Sequence, residues 1–368
     1  MSALGRLLAE NAPAALAVGG LAIGVVFGWI VYRTDFCTMG SISDFMSFRD
    51  FRRFRAWILA GAVSLVGAQL LQGVGIVDLS KTMYLATNFN WFGNIVGGLM
   101  FGFGMVLAGG CASKNLARAG GGDLRSLVTL LVLGIFAYMA IGGLIGPLRD
   151  WIDRATAINF SDLKIETQSI GAIADRYFAQ GGAVGADRLA AVLITGAGLA
   201  YCFLDGTFRS SPKHVWSGIG IGLCVIAGWA LTGLAFDELA DKPTIPISLT
   251  YVRPTGDTIE WLERFTAARM PGFGVATVLG AILGAFIAAT SMGRFQMRTF
   301  AGVQDTLRNL TGAALMGVGG VMALGCTIGQ AVTGISTLAV GSFVAFAAIV
   351  VGGIGGIKYM ERLLAAEV

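Results

Sequence analysis

The chain has 368 residues, of which 55% are hydrophobic and only 13% charged, with a net charge of +4 and a mean hydropathy of +0.74. An ordinary soluble domain carries about 25% charged residues, so water is not the main solvent of this chain. The positive charge is spread over connecting segments rather than gathered with stacking aromatics, which argues against nucleic acid as a partner, and a single histidine, His214, leaves little for a histidine-ligated metal.

Taken in order, uncharged apolar stretches predict nine crossings, roughly 15–32, 56–77, 91–110, 126–147, 189–204, 215–236, 272–291, 308–325 and 335–357. The first runs directly into Arg33, Asp35 and Cys37 with no small-residue cleavage site, so it reads as a retained span rather than a signal peptide. The fifth is short. The expected fold class is therefore an all-α polytopic membrane protein forming a single membrane domain over residues 1–368.

Arginine and lysine fall in five clusters after the odd-numbered spans. They are Arg33 with Arg49, Arg52, Arg53 and Arg55; Lys114 with Arg118 and Arg125; Arg209 with Lys213; Arg294 with Arg298; and Lys358 with Arg362. Nine alternating spans put all five on one side. By the positive-inside rule that side is the cytoplasm, which leaves the N-terminus outside and the C-terminus inside. The long segments 148–188 and 237–271 mix acids with bases and are expected at the outer surface.

The sequence also matches itself at an offset of 215 residues. NIVGGLMFGFGMVLAGGC from Asn94 lies on NLTGAALMGVGGVMALGC from Asn309, bringing Gly97 onto Gly312, Gly102 onto Gly317, Gly104 onto Gly319 and Gly110-Cys111 onto Gly325-Cys326. Repeat one is expected at about 15–147, repeat two at about 215–357, and a linking span at about 189–204. Equivalent spans are five crossings apart, an odd number, so the halves are predicted to have inverted topology, as in many transporters whose substrate binds near the midplane. Residues 309–357 carry no charge although they are expected to cross twice. The link around Cys326–Gly334 is therefore expected at membrane depth, where non-helical backbone survives only inside protein or along a cavity.

Of five cysteines, Cys202 and Cys224 sit in ordinary apolar text and read as small buried hydrophobes. Cys111, in GGCASKN, and Cys326, in LGCTIGQ, each end a glycine-rich helix and start a polar break. Cys37, in RTDFCTMGSISDF, follows the first span with Gly40 and serines behind it. Glycine permits a sharp reversal, and a half-helix restarting after it presents backbone amides that favour an anion. No CxxC pair or zinc spacing is present, and no GxxxxGK[ST] loop for a nucleotide; neither a metal nor another cofactor is expected.

The stretches RTDFCTMGS, GGCASKNLARAGGGDLRSL and the second repeat's GCTIG resemble the YeeE/YedE family of membrane proteins, across nearly all the spans. That resemblance implies uptake of thiosulfate or a related sulfur or selenium anion through an hourglass-shaped protein of the bacterial inner membrane. It implies that Cys37, Cys111 and Cys326 line a central path, that no catalysis is involved, and that a small cytoplasmic sulfur carrier of the TusA type is a possible partner. A neutral thiol suits a soft dianion, offering a weak donor and matching polarisability. Lys114 and Arg118 can draw the anion to the cytoplasmic mouth or simply set topology; Asn115 and Gln330, equivalent in the two repeats, can contact substrate or cap helices. Two other functions remain open at this point: a membrane-embedded sulfur or selenium transferase forming a cysteine persulfide, and a membrane anchor for a sulfur carrier.

Overall fold

The computed structural model describes residues 11–178, 183–236, 245–267 and 269–366. Its first helix, α1 (Ala12–Thr34), ends at Asp35 in the left-handed conformation (φ 60°), and a short helix α2 (Thr38–Phe48) follows, capped by Cys37. Next comes α3 (Arg52–Gly73). A two-residue strand β1 (Asn88–Phe89) leads into α4 (Trp91–Leu107), short α5 (Ala112–Gly120) and α6 (Leu124–Ile141). The segment after α6 holds α7 (Gly146–Thr156), β2 (Ile158–Asn159), antiparallel to β1, and α8 (Ile170–Phe178). The second half contains α9 (Ala183–Phe203), one-turn α10 (Gly206–Arg209), α11 (Pro212–Leu234), α12 (Arg253–Glu263), α13 (Phe273–Ser291), α14 (Val303–Met322) and α15 (Val340–Ala366).

Among the described residues, eight helical stretches are long and apolar enough to cross a membrane, two of them (Ala12–Phe48 and Trp91–Gly120) continuing through a bend into a short helix. The chain is therefore a multi-pass helical membrane protein. The stretch expected at 308–325 is the one missing from the eight. It lies in α14, whose first two turns carry Asp305, Arg308 and Asn309 and lower its apolar content. The fifth span is longer than expected. It sits at the rim of the bundle, with 17% of its most apolar window buried against 61% for Phe273–Ser291. The mixed-charge segments form α7, β2, α8 and α12, while the part of the second at residues 237–244 lies outside the described residues.

Small residues decide how the helices meet, because in lipid the association rests on close van der Waals packing rather than on expulsion of water. Helices α4 and α14 cross on glycine: a Cβ built on Gly97 would lie 2.6 Å from the Gly319 carbonyl oxygen, and one on Gly104 would lie 2.7 Å from that of Gly312. The reverse contacts from Gly319 and Gly312 are equally tight, at 2.6 Å each. Around this crossing, α15 packs on α4 and α6 on α14; farther out, α13 packs on α1 and α3 on α11. Both glycine-rich helices are thereby held at the centre, and the cysteine turns at their ends are fixed relative to each other.

Candidate functional site

The turns after α4 and α14 are built alike. Each helix closes with an amide bonded back to a carbonyl five residues earlier, Gly110 N–H to Met105 O and Gly325 N–H to Gly320 O, both at 2.8 Å. The preceding residue is left-handed in each, Gly109 at φ 71° and Leu324 at φ 55°. This is the Schellman ending of a helix, and a leucine there costs about 1–2 kcal/mol relative to a right-handed conformation. The next residue is the cysteine. Cys111 caps α5 with its Sγ 3.3 Å from Ser113 Oγ; Cys326 Sγ accepts from Gly329 N–H at 3.4 Å.

Cys37 makes the same kind of contact, its Sγ accepting from Gly40 N–H at 3.4 Å as it caps α2. All three thiols are free and buried. Cys37 and Cys326 each lie within electrostatic reach of Cys111. Cys202 lies outside this group, whereas Cys224 comes within electrostatic reach of the Tyr251 hydroxyl, as Cys326 does. Cys202, in α9, donates its thiol to Arg55 O at 3.3 Å, and Cys224 is buried along α11.

Donor groups collect beside Cys37 and Cys326. Thr38 and Thr327, each directly after its cysteine, have buried hydroxyls with no hydrogen-bond partner among the described residues. The same holds for the Trp57 indole N–H, whose ring stacks at 4.3 Å on Phe36 beside Cys37, and for the Tyr251 hydroxyl, which lies within reach of Cys326. A buried polar group left unpaired costs about 1–3 kcal/mol, and buried polar side-chain atoms are paired in the large majority of cases. Unpaired donors clustered along one row of thiols are suited to receiving acceptor atoms of a small anion.

The charged residues lie at the ends of this row. Lys114 is buried and forms an ion pair with Asp35, which also meets Arg53 at 3.3 Å; Arg53 in turn reaches Asp44 at 3.3 Å. Arg118 donates to Gly109 O at 2.5 Å and lines a cavity of about 450 Å³ with Tyr32, Arg125, Arg294 and Arg298. A second cavity, about 460 Å³, lies at the other end of the bundle, lined by Arg149, Arg253, Asp257, Thr250 and Gly325, the residue before Cys326. Burial pushes the Asp257 carboxyl above the ordinary carboxylate range, against the opposing pull of Tyr138 and Arg253.

Asn115 and Gln330 have committed their amide protons to helix ends. Asn115 Nδ2 donates to Gly110 O at 2.8 Å and to Cys111 O at 3.2 Å, while Gln330 Nε2 donates to Ala323 O. The structure thus brings Cys37, Cys111 and Cys326 together, sets Lys114 and Arg118 at one end, and gives Asn115 and Gln330 capping contacts. Sequence reading passed over Thr38, Thr327, Trp57, Tyr251, Arg149 and Arg253. The threonines had a signal, since FCT and GCT repeat the same Cys-Thr pair at two breaks; the others are brought in only by tertiary packing.

A family model described as sulphur transport matches residues 33–355. The chain is 27% identical over 340 residues to the thiosulfate transporter TsuA of Spirochaeta thermophila, covering 90% of this chain and 96% of that protein. It is 29% identical over 339 residues to the thiosulfate transporter TsuA of Escherichia coli, covering 85% and 86% of the two. A shorter match, 33% over 108 residues, covers 29% of this chain and 25% of the probable transporter YedE of Escherichia coli.

Proposed function

The chain belongs to the sulphur transport family, and from that premise we propose that it takes thiosulfate into the cytoplasm along the row Cys326, Cys111, Cys37. The observation that carries this reading is the chain of three buried thiols, with unpaired donors beside them, between two arginine-lined cavities at opposite ends. Arg149 and Arg253 attract the dianion to the cavity that reaches Gly325. The anion then passes from thiol to thiol, meeting helix-end amides at Gly329 and Gly40 that favour negative charge. Several weak contacts in series permit release, which one tight clamp would prevent. It leaves at the end lined by Arg118, Arg125, Arg294 and Arg298.

The arginine-rich end faces the cytoplasm in this reading, with the N-terminus outside and the C-terminus inside a bacterial inner membrane. A small cytoplasmic sulfur carrier would receive the anion there. Two inverted halves support a midplane site. The pairings α1 with α13 and α11 with α3 exchange under the repeat, as do α4 with α15 and α14 with α6, and the two Schellman turns match at the same offset of 215 residues.

The test is uptake of labelled thiosulfate into vesicles holding only the purified protein. Cys111→Ala and Cys326→Ala are expected to lower initial uptake by about tenfold or more, equivalent to ~1.4 kcal/mol at the hardest step, while both variants still insert. Wild-type uptake in both variants would refute the cysteine path.

A further inference from the structure

We infer that the ion pair of Asp35 with Lys114 is a charge filter at the arginine-rich end of the cysteine row, passing divalent anions and holding back monovalent ones. The inference rests on the proposed path. Asp35 stands two residues before Cys37, and Lys114 three residues after Cys111, so their contact ties one cysteine turn to the next. Lys114 also lies within electrostatic reach of the Cys37 thiol. A lysine this deeply placed requires a partner, and Asp35 supplies it.

The other end of the row shows what the same position looks like without charge. At the 215-residue offset Asp35 corresponds to Thr250 and Lys114 to Gly329. Those two also touch: a Cβ built on Gly329 would lie 2.6 Å from Thr250 Oγ1. The contact between neighbouring turns is therefore present at both ends, as an ion pair at one and as a hydroxyl against a glycine at the other. Two half-helices can be held together here without an ion pair, so the charges at Asp35 and Lys114 need a reason besides packing.

Their exposure is unequal. The Asp35 side chain is 46% exposed and already shares Arg53, whereas the Lys114 side chain is 11% exposed. The pair opens when the carboxylate withdraws toward Arg53, leaving the ammonium in place. An anion arriving from Cys111 must displace Asp35. At equal distance a dianion gains twice the Coulomb attraction of a monoanion, so a monoanion gains no advantage over the carboxylate it replaces. Only the dianion has a net incentive to open the pair.

The experiment compares vesicle uptake of thiosulfate with that of thiocyanate, a soft monovalent anion that also ends in sulfur. Asp35→Asn should admit thiocyanate and lower the thiosulfate-to-thiocyanate ratio by about tenfold or more. Lys114→Gln leaves the carboxylate beside the route with Arg53 as its remaining partner and should cut thiosulfate uptake by a similar factor. The double variant, neutral like Thr250 with Gly329, should recover thiosulfate uptake to within about threefold of wild type while remaining unselective. An unchanged ratio in Asp35→Asn, or a double variant no better than Lys114→Gln, overturns the filter. If Lys114→Gln does not insert, the ratio in Asp35→Asn decides. Cys326→Ala run alongside separates the two readings: loss of uptake there with an unchanged ratio in Asp35→Asn removes only the filter, and normal uptake there removes the path and the filter with it.

Discussion

After Cys111 the chain resumes as a regular helix carrying Lys114 and Arg118, whereas after Cys326 it runs through a π turn (Gly329–Gly334) and a 3-10 turn (Ile335–Thr337) without a charge before α15 begins. Both turns start from the same Schellman ending, so the divergence comes from what surrounds them. The Cys326 side is enclosed by protein, and side chains from other helices satisfy its irregular backbone. Ser64 donates to Val332 O at 3.0 Å and Gln69 to Ser336 O at 3.3 Å, while the turn's own side chains are also engaged, Thr333 donating to Leu249 O at 2.7 Å and Ser336 Oγ accepting from Trp229 Nε1 at 3.0 Å. Irregular backbone is tolerated at membrane depth on that condition, and π turns recur at functional positions. The Cys111 side is buried as well, but its helix carries Arg118 to the arginine cavity and holds a lysine that Asp35 pairs.

Both turns hang from one crossing, so the severest way to erase their difference is to push α4 and α14 apart. Gly319→Leu places a branched side chain where even a Cβ meets the Gly97 carbonyl at 2.6 Å. Overpacking of this kind costs about 1–3 kcal/mol where a side chain can yield; here backbone must move, and loss of the folded, inserted protein is expected by size-exclusion profile. Retention of a wild-type profile would show that the crossing does not hold the turns.

A smaller change addresses one turn alone. Gly329→Ala brings a methyl against Thr250 Oγ1 and near the Tyr84 hydroxyl, with an expected loss of about 1–3 kcal/mol in thermal unfolding. Thr250→Ala in the same chain should return part of that loss, because the two sites touch and their effects are not additive. Independent effects would mean the contact between turns is not the constraint.

The threonines sharpen the contrast between binding and holding. Thr327→Val removes a hydroxyl with no partner among the described residues, so stability should hold or rise slightly while uptake falls severalfold. Thr333→Val removes a donor engaged with Leu249 O and should cost about 1 kcal/mol of stability, with uptake per folded molecule unchanged. The opposite pattern would assign Thr327 to structure.

Much of this arrangement was legible in the sequence because it depends on local chemistry. The GGC and LGC breaks, the glycine spacing of α4 and α14 and the uncharged run before α15 each report a physical requirement within a few residues. The α14 stretch, expected at 308–325, is less apolar than the other spans because Asp305, Arg308 and Asn309 open the helix, yet it packs along its glycines on α4. Trp57, Tyr251 and Arg149 carried no local mark. Their relation to the cysteines exists only after α3, α12 and α7 have packed, and an isolated tryptophan or arginine in the sequence reads the same whether it faces a path or a lipid. Asn115 and Gln330 were open between two roles, and it was the position of the preceding helix's carbonyls that assigned their amide protons to capping.

The gentlest probe lies beside the cavity that reaches Gly325, where Tyr138 sets its hydroxyl 2.6 Å from both Asp257 and Glu260. Burial raises the folded-state pKa of Asp257, whereas hydrogen bonds from Tyr138 and Arg264 lower that of Glu260. The signs are therefore opposite. Asp257 contributes stability that is complete below its unfolded value, about 3.9, and is lost as pH rises through its folded pKa. Glu260 contributes stability present above its unfolded value, about 4.3, and lost as pH falls through its folded pKa. The melting temperature of wild type relative to Asp257→Asn should accordingly fall as pH rises from about 4, whereas relative to Glu260→Gln it should fall as pH drops below about 4.3. Neutralising Asp257 also leaves Arg149 and Arg253 less compensated in the cavity they share with Gly325. Initial thiosulfate uptake should therefore increase slightly as pH is lowered toward the Asp257 pKa, and Asp257→Asn should show that increase at every pH. A variant that keeps the wild-type pH dependence would place the titrating group elsewhere and remove Asp257 from the approach to the path.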